Sequence, residues 1–495
     1  MKSKEQLRKE IDAIDNNLIE LLNKRYNLVK EIGFVKAASN DELKDNNREL
    51  QIIAKSNNYE NSILINETYE HIFEQSRKIQ KAKYYLIGKR LNYSYSKLIH
   101  NMLGNNEYEY YETNDFEDIN KIPFTAINVT NPYKHEAYKI CDKLSEIASL
   151  TETVNTIIKY NGSNFGFNTD YLGFISMIKH YSINLKNKKI AILGNGQTKS
   201  TIVVALNELD ANKYEIFARN PKIKENPLST IYSYDPDIII NTTSYNVFPN
   251  LELEPLVDMD NLQRVRLIID INYNPSRSIL GLTPNVTYYN GLYMLVAQAE
   301  ETENLIDAFY KRTRKEKSYQ NIIETILAKQ KNIILIGMPY AGKTTIGKKL
   351  GDAINRPSYD TDEILAIKKQ SFPDIIKNGG NEEIFRIYEA DVIKRLSTYT
   401  GSVISIGGGA INNSKSMTFL SQNGIIVYLD TPLDVLKSRI DGTRPLVKNT
   451  DDIDKLYKAR NDNYLKYADV VIKSSDINEI IKAIKEYIKY EASNY

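Results

Sequence analysis

Eleven residues, LIGMPYAGKTT at 335–345, constrain this chain more than any others. They match G-x-x-x-x-G-K-[ST], follow the strand-like run NIILI and open a helical stretch. That context calls for a parallel α/β sheet with a glycine loop at a strand end. There, successive backbone amides and a helix N-terminus face the same phosphates. Gly337 and Gly342 shape the loop, and Lys343 neutralises β- and γ-phosphates. Thr344 and Thr345 open the helix, with the Thr344 hydroxyl suited to Mg2+.

A second loop, ILGNGQTKS at 192–200, keeps Gly194 and Gly196 in G-x-G spacing but has Lys199 where the usual fingerprint has its third glycine. An acid about 20 residues later would favour NAD by binding the ribose 2′-hydroxyl. Here the run YEIFA ends in Arg219, Asn220, Pro221 and Lys222. Cations there suit a 2′-phosphate, so NADP is favoured.

Around these loops the texture changes twice. Up to about residue 83 the apolar residues Leu7, Ile11, Ile14, Leu18, Leu21, Leu28 and Ile32 recur at helical spacing. A second helix is expected from about Arg48 and a third through 65–83. From Tyr84, short apolar runs alternate with helical stretches, implying βαβ units and a parallel sheet. The alternation restarts at residue 332. A length of 495 residues suits roughly three domains. The net charge of +2 calls for neither nucleic acid nor a membrane surface. The lone Cys141 allows no internal disulfide, and four scattered histidines exclude a rich Cys/His metal site. With no apolar leader and no spanning run, a cytoplasmic location is expected.

The residues downstream of the intact loop narrow the chemistry. YDTDEI carries Asp360 and Asp362, EEIFRIYEADVI carries Arg386, and VISIGGGAI carries Gly407, Gly408 and Gly409. GTRPLV carries Arg444, and KARNDNYLKYAD carries Arg460. This set resembles shikimate kinase across 331–495. The resemblance implies that Asp360 and Thr344 hold the Mg2+ shell, and that Asp362 binds the ring hydroxyls of shikimate and orients the attacking one. It further implies that Arg386 and Arg460 grip the carboxylate while the triglycine lets backbone approach the ring. The same resemblance implies that Arg444, on a lid, stabilises the transferring phosphoryl group and that Arg439 flanks the adenine of ATP.

In the middle region, LNYSYSK carries Ser94 and Ser96, INVTNPYKHEA carries Thr130 and Lys134, TVNTI carries Asn155 and GFNTDYLGF carries Asp170. DINYNP carries Tyr273, and GLYMLVAQAEE carries Gln298. Together these resemble shikimate dehydrogenase over about 84–329, a family whose nucleotide loop lies mid-chain and often lacks the third glycine. Lys134 and Asp170 are the implied catalytic pair. Ser94, Ser96, Thr130, Asn155, Tyr273 and Gln298 are the implied contacts to the carboxylate and hydroxyls. The segment between Asn101 and Ile127 is short for that family.

The first helices carry polar residues at telling intervals. Arg25 and Lys36 share a face about 16 Å apart along the axis. Asp45, Arg48 and Glu49 sit at i, i+3, i+4, and Ser76 and Gln80 at i, i+4. Arg8 points away from Arg25. The pattern resembles the all-helical chorismate mutase, an intertwined dimer that takes one arginine from the partner chain. The resemblance implies that Arg8 in trans, Arg25 and Arg48 clamp two carboxylates, with Lys36 and Gln80 on the ether oxygen and Glu49 on the hydroxyl.

The expected fold is thus multidomain. An all-α mutase-like unit covers 1–83 and an α/β two-domain dehydrogenase-like unit covers 84–330. Within the latter, the substrate domain is placed at about 84–180 and a Rossmann-like NADP domain at about 181–290, with C-terminal helices returning to the substrate domain. An α/β P-loop kinase-like domain covers 331–495. The expected activities belong to aromatic amino acid biosynthesis: reduction of 3-dehydroshikimate with NADPH, phosphorylation of shikimate with ATP and Mg2+, and rearrangement of chorismate to prephenate. The expected partners are these small molecules and a second copy of the chain. The alternative is an active dehydrogenase–kinase whose N-terminal helices only dimerise or regulate. A scaffold that binds nucleotide without turnover is disfavoured by the intact Lys134, Lys343 and Asp362.

Overall fold

The computed structural model describes residues 2–39, 44–81, 83–441, 447 and 449–495. They form two compact units: Met1–Leu172 with Gln298–Glu316, and Gly173–Ala297 with Lys317–Tyr495.

In the first unit, helices α1 (Lys4–Ser39), α2 (Asn46–Ser56) and α3 (Ser62–Gln80) come first. α2 starts two residues before the expected Arg48 because Asp45 caps it, accepting the Arg48 amide at 2.9 Å. α3 starts at Ser62, earlier than read from the sequence, and ends at Gln80. Gly33 sits mid-helix, where glycine costs about 1 kcal/mol relative to alanine. A Cβ there would stand 2.8 Å from the Gln80 Cα, so the glycine is what lets α1 and α3 approach. Six apolar side chains of α1 (Leu7, Ile11, Ile14, Leu18, Leu21 and Leu28) remain between 46% and 64% exposed within the single chain.

The sheet of this unit contains β1 (Tyr84–Gly88), β2 (Tyr108–Glu112), β3 (Ala126–Val129), β4 (Lys143–Leu144), β5 (Thr156–Tyr160) and β6 (Ser163–Phe167). Its order is β2-β1-β3-β5-β6-β4. The expectation of a parallel sheet is corrected here, since β5 runs antiparallel to both β3 and β6. The cause is local. Asn161 and Gly162 take φ of 48° and 82°, the left-handed pair that a tight hairpin needs. The short 101–127 segment still supplies β2 and a 3-10 turn, Phe116–Lys121.

The second unit contains two wholly parallel sheets. One holds β7 (Ile190–Leu193), β8 (Tyr214–Ala218), β9 (Asn226–Pro227), β10 (Ile238–Asn241), β11 (Leu267–Asp270) and β12 (Thr287–Asn290), in the order β12-β11-β10-β7-β8-β9. This is the doubly wound arrangement, and the strand order reverses beside β7, where such folds bind nucleotides. The other holds β13 (Asn332–Ile336), β14 (Ser358–Asp360), β15 (Val403–Ser405), β16 (Gly424–Leu429) and β17 (Val470–Ile472), in the order β14-β15-β13-β16-β17. Each glycine loop leaves the carboxyl end of a fully buried strand, β7 or β13.

Candidate active sites

The intact loop delivers Lys343 to the first position of the helix Lys343–Ala353, behind Gly342 at a φ of 86° that favours glycine. Lys343 Nζ donates to the carbonyls of Gly337 at 2.9 Å and Met338 at 3.0 Å. The Thr344 hydroxyl donates to Asp360 at 2.7 Å. Asp360 ends β14 and caps the helix Thr361–Ile367 through the amides of Asp362 and Glu363. Burial pushes the Asp360 carboxyl up, and the Thr344 bond only partly offsets this. A paired hydroxyl and carboxylate are hard oxygen donors, the kind Mg2+ prefers. A 540 Å3 cavity over the loop is lined by Thr344, Thr345, Asp360 and Arg439, among others. Arg439 is held there by the Tyr340 carbonyl at 3.1 Å.

A second cavity of 370 Å3 is lined by Asp362, Arg386, Gly407, Gly408, Gly409 and Arg460. Lys343 and Asp362 line both cavities, so the two meet at these side chains. Arg386 is steered by two carboxylates of its own helix, Glu389 at 2.7 Å and Glu382 at 2.9 Å. Arg460 donates to the Gly408 carbonyl at 3.1 Å. Glu389 carries no motif in the sequence, and its i+3 spacing from Arg386 is the one mark of the pairing. Glu389 is 2% exposed, and burial raises its carboxyl against the pull of Arg386. Arg444 lies outside the described residues.

In the first unit, Lys134 opens a helix that follows β3 and a turn closed by the Tyr133 amide on the Thr130 carbonyl. Its Nζ meets Asp170 Oδ2 at 2.6 Å, with side chains 11% and 15% exposed. Asp170 lies in the first turn of the helix Thr169–His180. The preceding Thr169 is locked in place, since Asn155 Oδ1 accepts its amide at 2.8 Å and Asn155 Nδ2 donates to its hydroxyl at 3.0 Å. That hydroxyl in turn donates to Gln298 at 3.3 Å. The Ser94 hydroxyl donates to Ser96 at 3.1 Å beyond β1, and Thr130 follows the adjacent β3. Lys134, Asn155, Asp170 and Gln298 are thus drawn together around Thr169. Tyr273 follows β11 in the second unit.

The variant loop follows β7, with Gly196 capping the helix Gln197–Glu208. A Cβ on Gly196 would meet nothing within 4 Å, so the helix N-terminus is open to a dinucleotide phosphate. Arg219, Asn220 and Lys222 are exposed just past β8. These features fit NADP(H).

Among the helices, Arg25 donates to Ser76 at 2.7 Å, and Glu49 pairs with Arg77, a residue outside the polar set named from the sequence. Arg48 lies in the first turn of α2 next to Glu49. The Gln80 amide oxygen is buried without a hydrogen-bond partner among the described residues, and the Gln80 backbone abuts Gly33, one turn from Lys36. Asp45 acts as the α2 cap. Arg8 is exposed on α1, about 25 Å along the axis from Arg25, so one chain does not bring these two together.

Three family models match the chain: chorismate mutase type II at residues 7–81, the shikimate dehydrogenase substrate binding domain at 86–157, and shikimate kinase at 339–489. The shikimate dehydrogenase (NADP(+)) of Caldicellulosiruptor saccharolyticus is 31% identical over 256 residues, covering 45% of this chain and 91% of that protein. The enzyme of the same name from Clostridium botulinum is 32% identical over 243 residues, covering 43% and 92%. The crystal structure of a chorismate mutase/shikimate 5-dehydrogenase fusion protein from Clostridium acetobutylicum is 27% identical. It covers 50% of this chain and 97% of that one, with a TM-score of 0.45.

Proposed function

We propose that this chain, which belongs to the shikimate dehydrogenase family and carries a type II chorismate mutase domain before that region and a shikimate kinase domain after it, catalyses two consecutive steps and one later step of aromatic amino acid biosynthesis. The domain limits are proposed at 83/84 and 330/331. The dehydrogenase makes shikimate, and the kinase consumes it. The observation that carries this reading is the meeting of the two kinase cavities at Lys343 and Asp362, which sets a phosphate cradle against a pocket with two arginines.

In the dehydrogenase, NADPH when bound supplies the hydride. Asp170 holds Lys134 and a ring hydroxyl, and Lys134 passes a proton to the reduced oxygen. Ser94, Ser96, Thr130, Asn155, Tyr273 and Gln298 orient the substrate. In the kinase, Asp362 orients the attacking hydroxyl, Arg386 and Arg460 bind the carboxylate, and Lys343 offsets the charge of the transferring group. Arg439 flanks the adenine of ATP, and Arg444 is assigned to the same charge-offsetting task as Lys343. Thr344 and Asp360 would hold Mg2+, which supplies further positive charge at the phosphates. Lys343→Ala should abolish shikimate-dependent ATP turnover while sparing NADPH oxidation with 3-dehydroshikimate. Loss of both in a folded protein would defeat the assignment of independent sites.

The mutase site is proposed to be shared between two chains. The exposed apolar stripe of α1 is the support for dimerisation, and the separation of Arg8 from Arg25 is the support for a site completed in trans. Arg25, Arg48, Lys36, Glu49, Gln80, Ser76 and Asp45 stay with one chain and Arg8 comes from its partner. Arg8→Ala and Arg25→Ala chains should each lack mutase activity and recover part of it after subunit exchange. No recovery after proven exchange would count against the shared site.

A further inference from the structure

Lys199 occupies the place of a small residue at a helix N-terminus. In the first turn of Gln197–Glu208 its ammonium faces Glu225 Oε1 at 3.3 Å. Glu225 lies a few residues beyond Arg219 and Lys222, and its side chain is 4% exposed. Its other oxygen accepts Asn195 Nδ2 at 2.8 Å and the Lys222 amide at 2.8 Å. Asn195 Nδ2 also donates to the Asn220 carbonyl at 2.9 Å. One carboxylate therefore ties together the glycine loop, the first turn of the helix after it, and the segment bearing the cations.

An acid at this end of a dinucleotide site is the feature NAD-binding folds use on the ribose 2′-hydroxyl. Left uncompensated, it would repel a 2′-phosphate. Burial pushes the Glu225 carboxyl up, but the Lys222 amide, Asn195 and Lys199 together bring it below the ordinary value. It is therefore a charged group at neutral pH.

We propose that Lys199 determines cofactor specificity by neutralising Glu225, so that an acid can brace the loop while Arg219 and Lys222 accept a 2′-phosphate. This rests on the reading of 219–222 as the 2′-phosphate site. Lys199 acts through Glu225 and is a positioning residue.

The test compares KM and kcat for NADPH and for NADH in the parent, K199M, E225Q and K199M/E225Q chains. Shikimate-dependent ATP turnover of the same preparations reports folding. The parent should prefer NADPH. K199M should raise the NADPH KM roughly tenfold, the consequence of leaving an acid unpaired beside a phosphate. Its NADPH kcat and its NADH KM should change little. E225Q in the K199M background should restore most of the NADPH preference, because the like-charge repulsion is gone while the amide can still bridge Asn195. A parent without preference would defeat the reading of 219–222. A parent that prefers NADPH, with a K199M chain keeping the same ratio, would overturn the role of Lys199 alone. Should K199M lose turnover with both cofactors, the double variant decides: recovered NADPH preference supports the proposal, and none overturns it.

Discussion

Arg386 reaches the kinase cavity only because Gly409 has no side chain. A Cβ there would lie 2.3 Å from Arg386 Nη2 and 2.6 Å from Nη1, distances no real contact tolerates. Gly407 is similarly crowded, its would-be Cβ standing 2.6 Å from Glu389 Oε1 and 3.0 Å from Asp362 Oδ1. Gly409→Ala should therefore displace the Arg386 guanidinium, the group proposed to bind the substrate carboxylate. Misplacing a binding group by about 1 Å can cost roughly 100-fold in rate. A loss of that order in shikimate phosphorylation, with dehydrogenase turnover untouched, is the expected result, and wild-type kinase kinetics would refute it. The triglycine, Lys343, Asp362, Arg386 and Arg460 were legible in the sequence because each sits in a short local motif. Glu389 was not, because its meaning lies in burial: its Oε1 has no hydrogen-bond partner among the described residues, and its carboxylate pairs with Arg386 inside the cavity wall.

Elements were legible where their pattern is local and blurred where pairing decides. The runs at β1, β7, β10 and β11 are almost continuously apolar, as expected for strands buried on both faces, whereas β3 carries Asn128 and β8 an exposed Glu215. β5 and β6 carry no such run, and their signal was the Asn161-Gly162 dipeptide between them, a hairpin mark that reverses the chain inside an otherwise parallel sheet. The helix Leu292–Tyr310 shows what sequence pattern cannot supply. Its Glu303, fully buried, accepts His100 from the helix Ser96–Met102 at 2.7 Å, Asn105 at 2.9 Å and Arg312 at 2.6 Å. Burial alone would raise this carboxyl, yet the His100 hydrogen bond and the charges of His100 and Arg312 bring it down to about 2. A carboxylate whose folded pKa lies below its unfolded value stabilises the fold above the unfolded pKa, and that contribution is lost as pH falls from about 4.3 toward the folded value. Glu303→Gln should destabilise the first unit by about 3–5 kcal/mol at pH 7, the usual cost of breaking a buried ion pair. The gap between parent and variant should shrink between pH 5 and pH 3, read as urea midpoints of dehydrogenase inactivation. A gap independent of pH would show that Glu303 acts only by packing.

At the scale of the whole molecule, the dinucleotide sheet and the kinase sheet belong to one compact unit, and Gln422 explains how. It lies near the end of the helix Ser414–Asn423, just before β16, and is fully buried. Its Oε1 accepts Asn246 Nδ2 at 3.0 Å, and its Nε2 donates to the Glu252 carbonyl at 2.9 Å. Its own carbonyl accepts the Arg277 amide at 3.1 Å and the Ser276 hydroxyl at 3.3 Å. Burial works against the charge of Arg277, but Tyr487, Asp469 and Glu491 of the kinase part more than offset it. The helix Tyr319–Gln330 adds apolar contact by lying along Ile477–Ala492. None of this was legible in the sequence, where Gln422 looks like a surface residue and its partners are more than 140 positions away. The seam has a consequence for folding. Gln422→Ala would strand the buried Asn246 amide, an unsatisfied group costing about 1–3 kcal/mol, and would leave the carbonyl of the exposed Glu252 to solvent. If the seam binds the two sheets cooperatively, NADPH binding and shikimate-dependent ATP turnover should be lost at the same urea concentration in the parent. Both midpoints should then move down together in the variant. Two separate transitions in the parent, with Gln422→Ala moving only the kinase midpoint, would show that the sheets merely touch and unfold on their own.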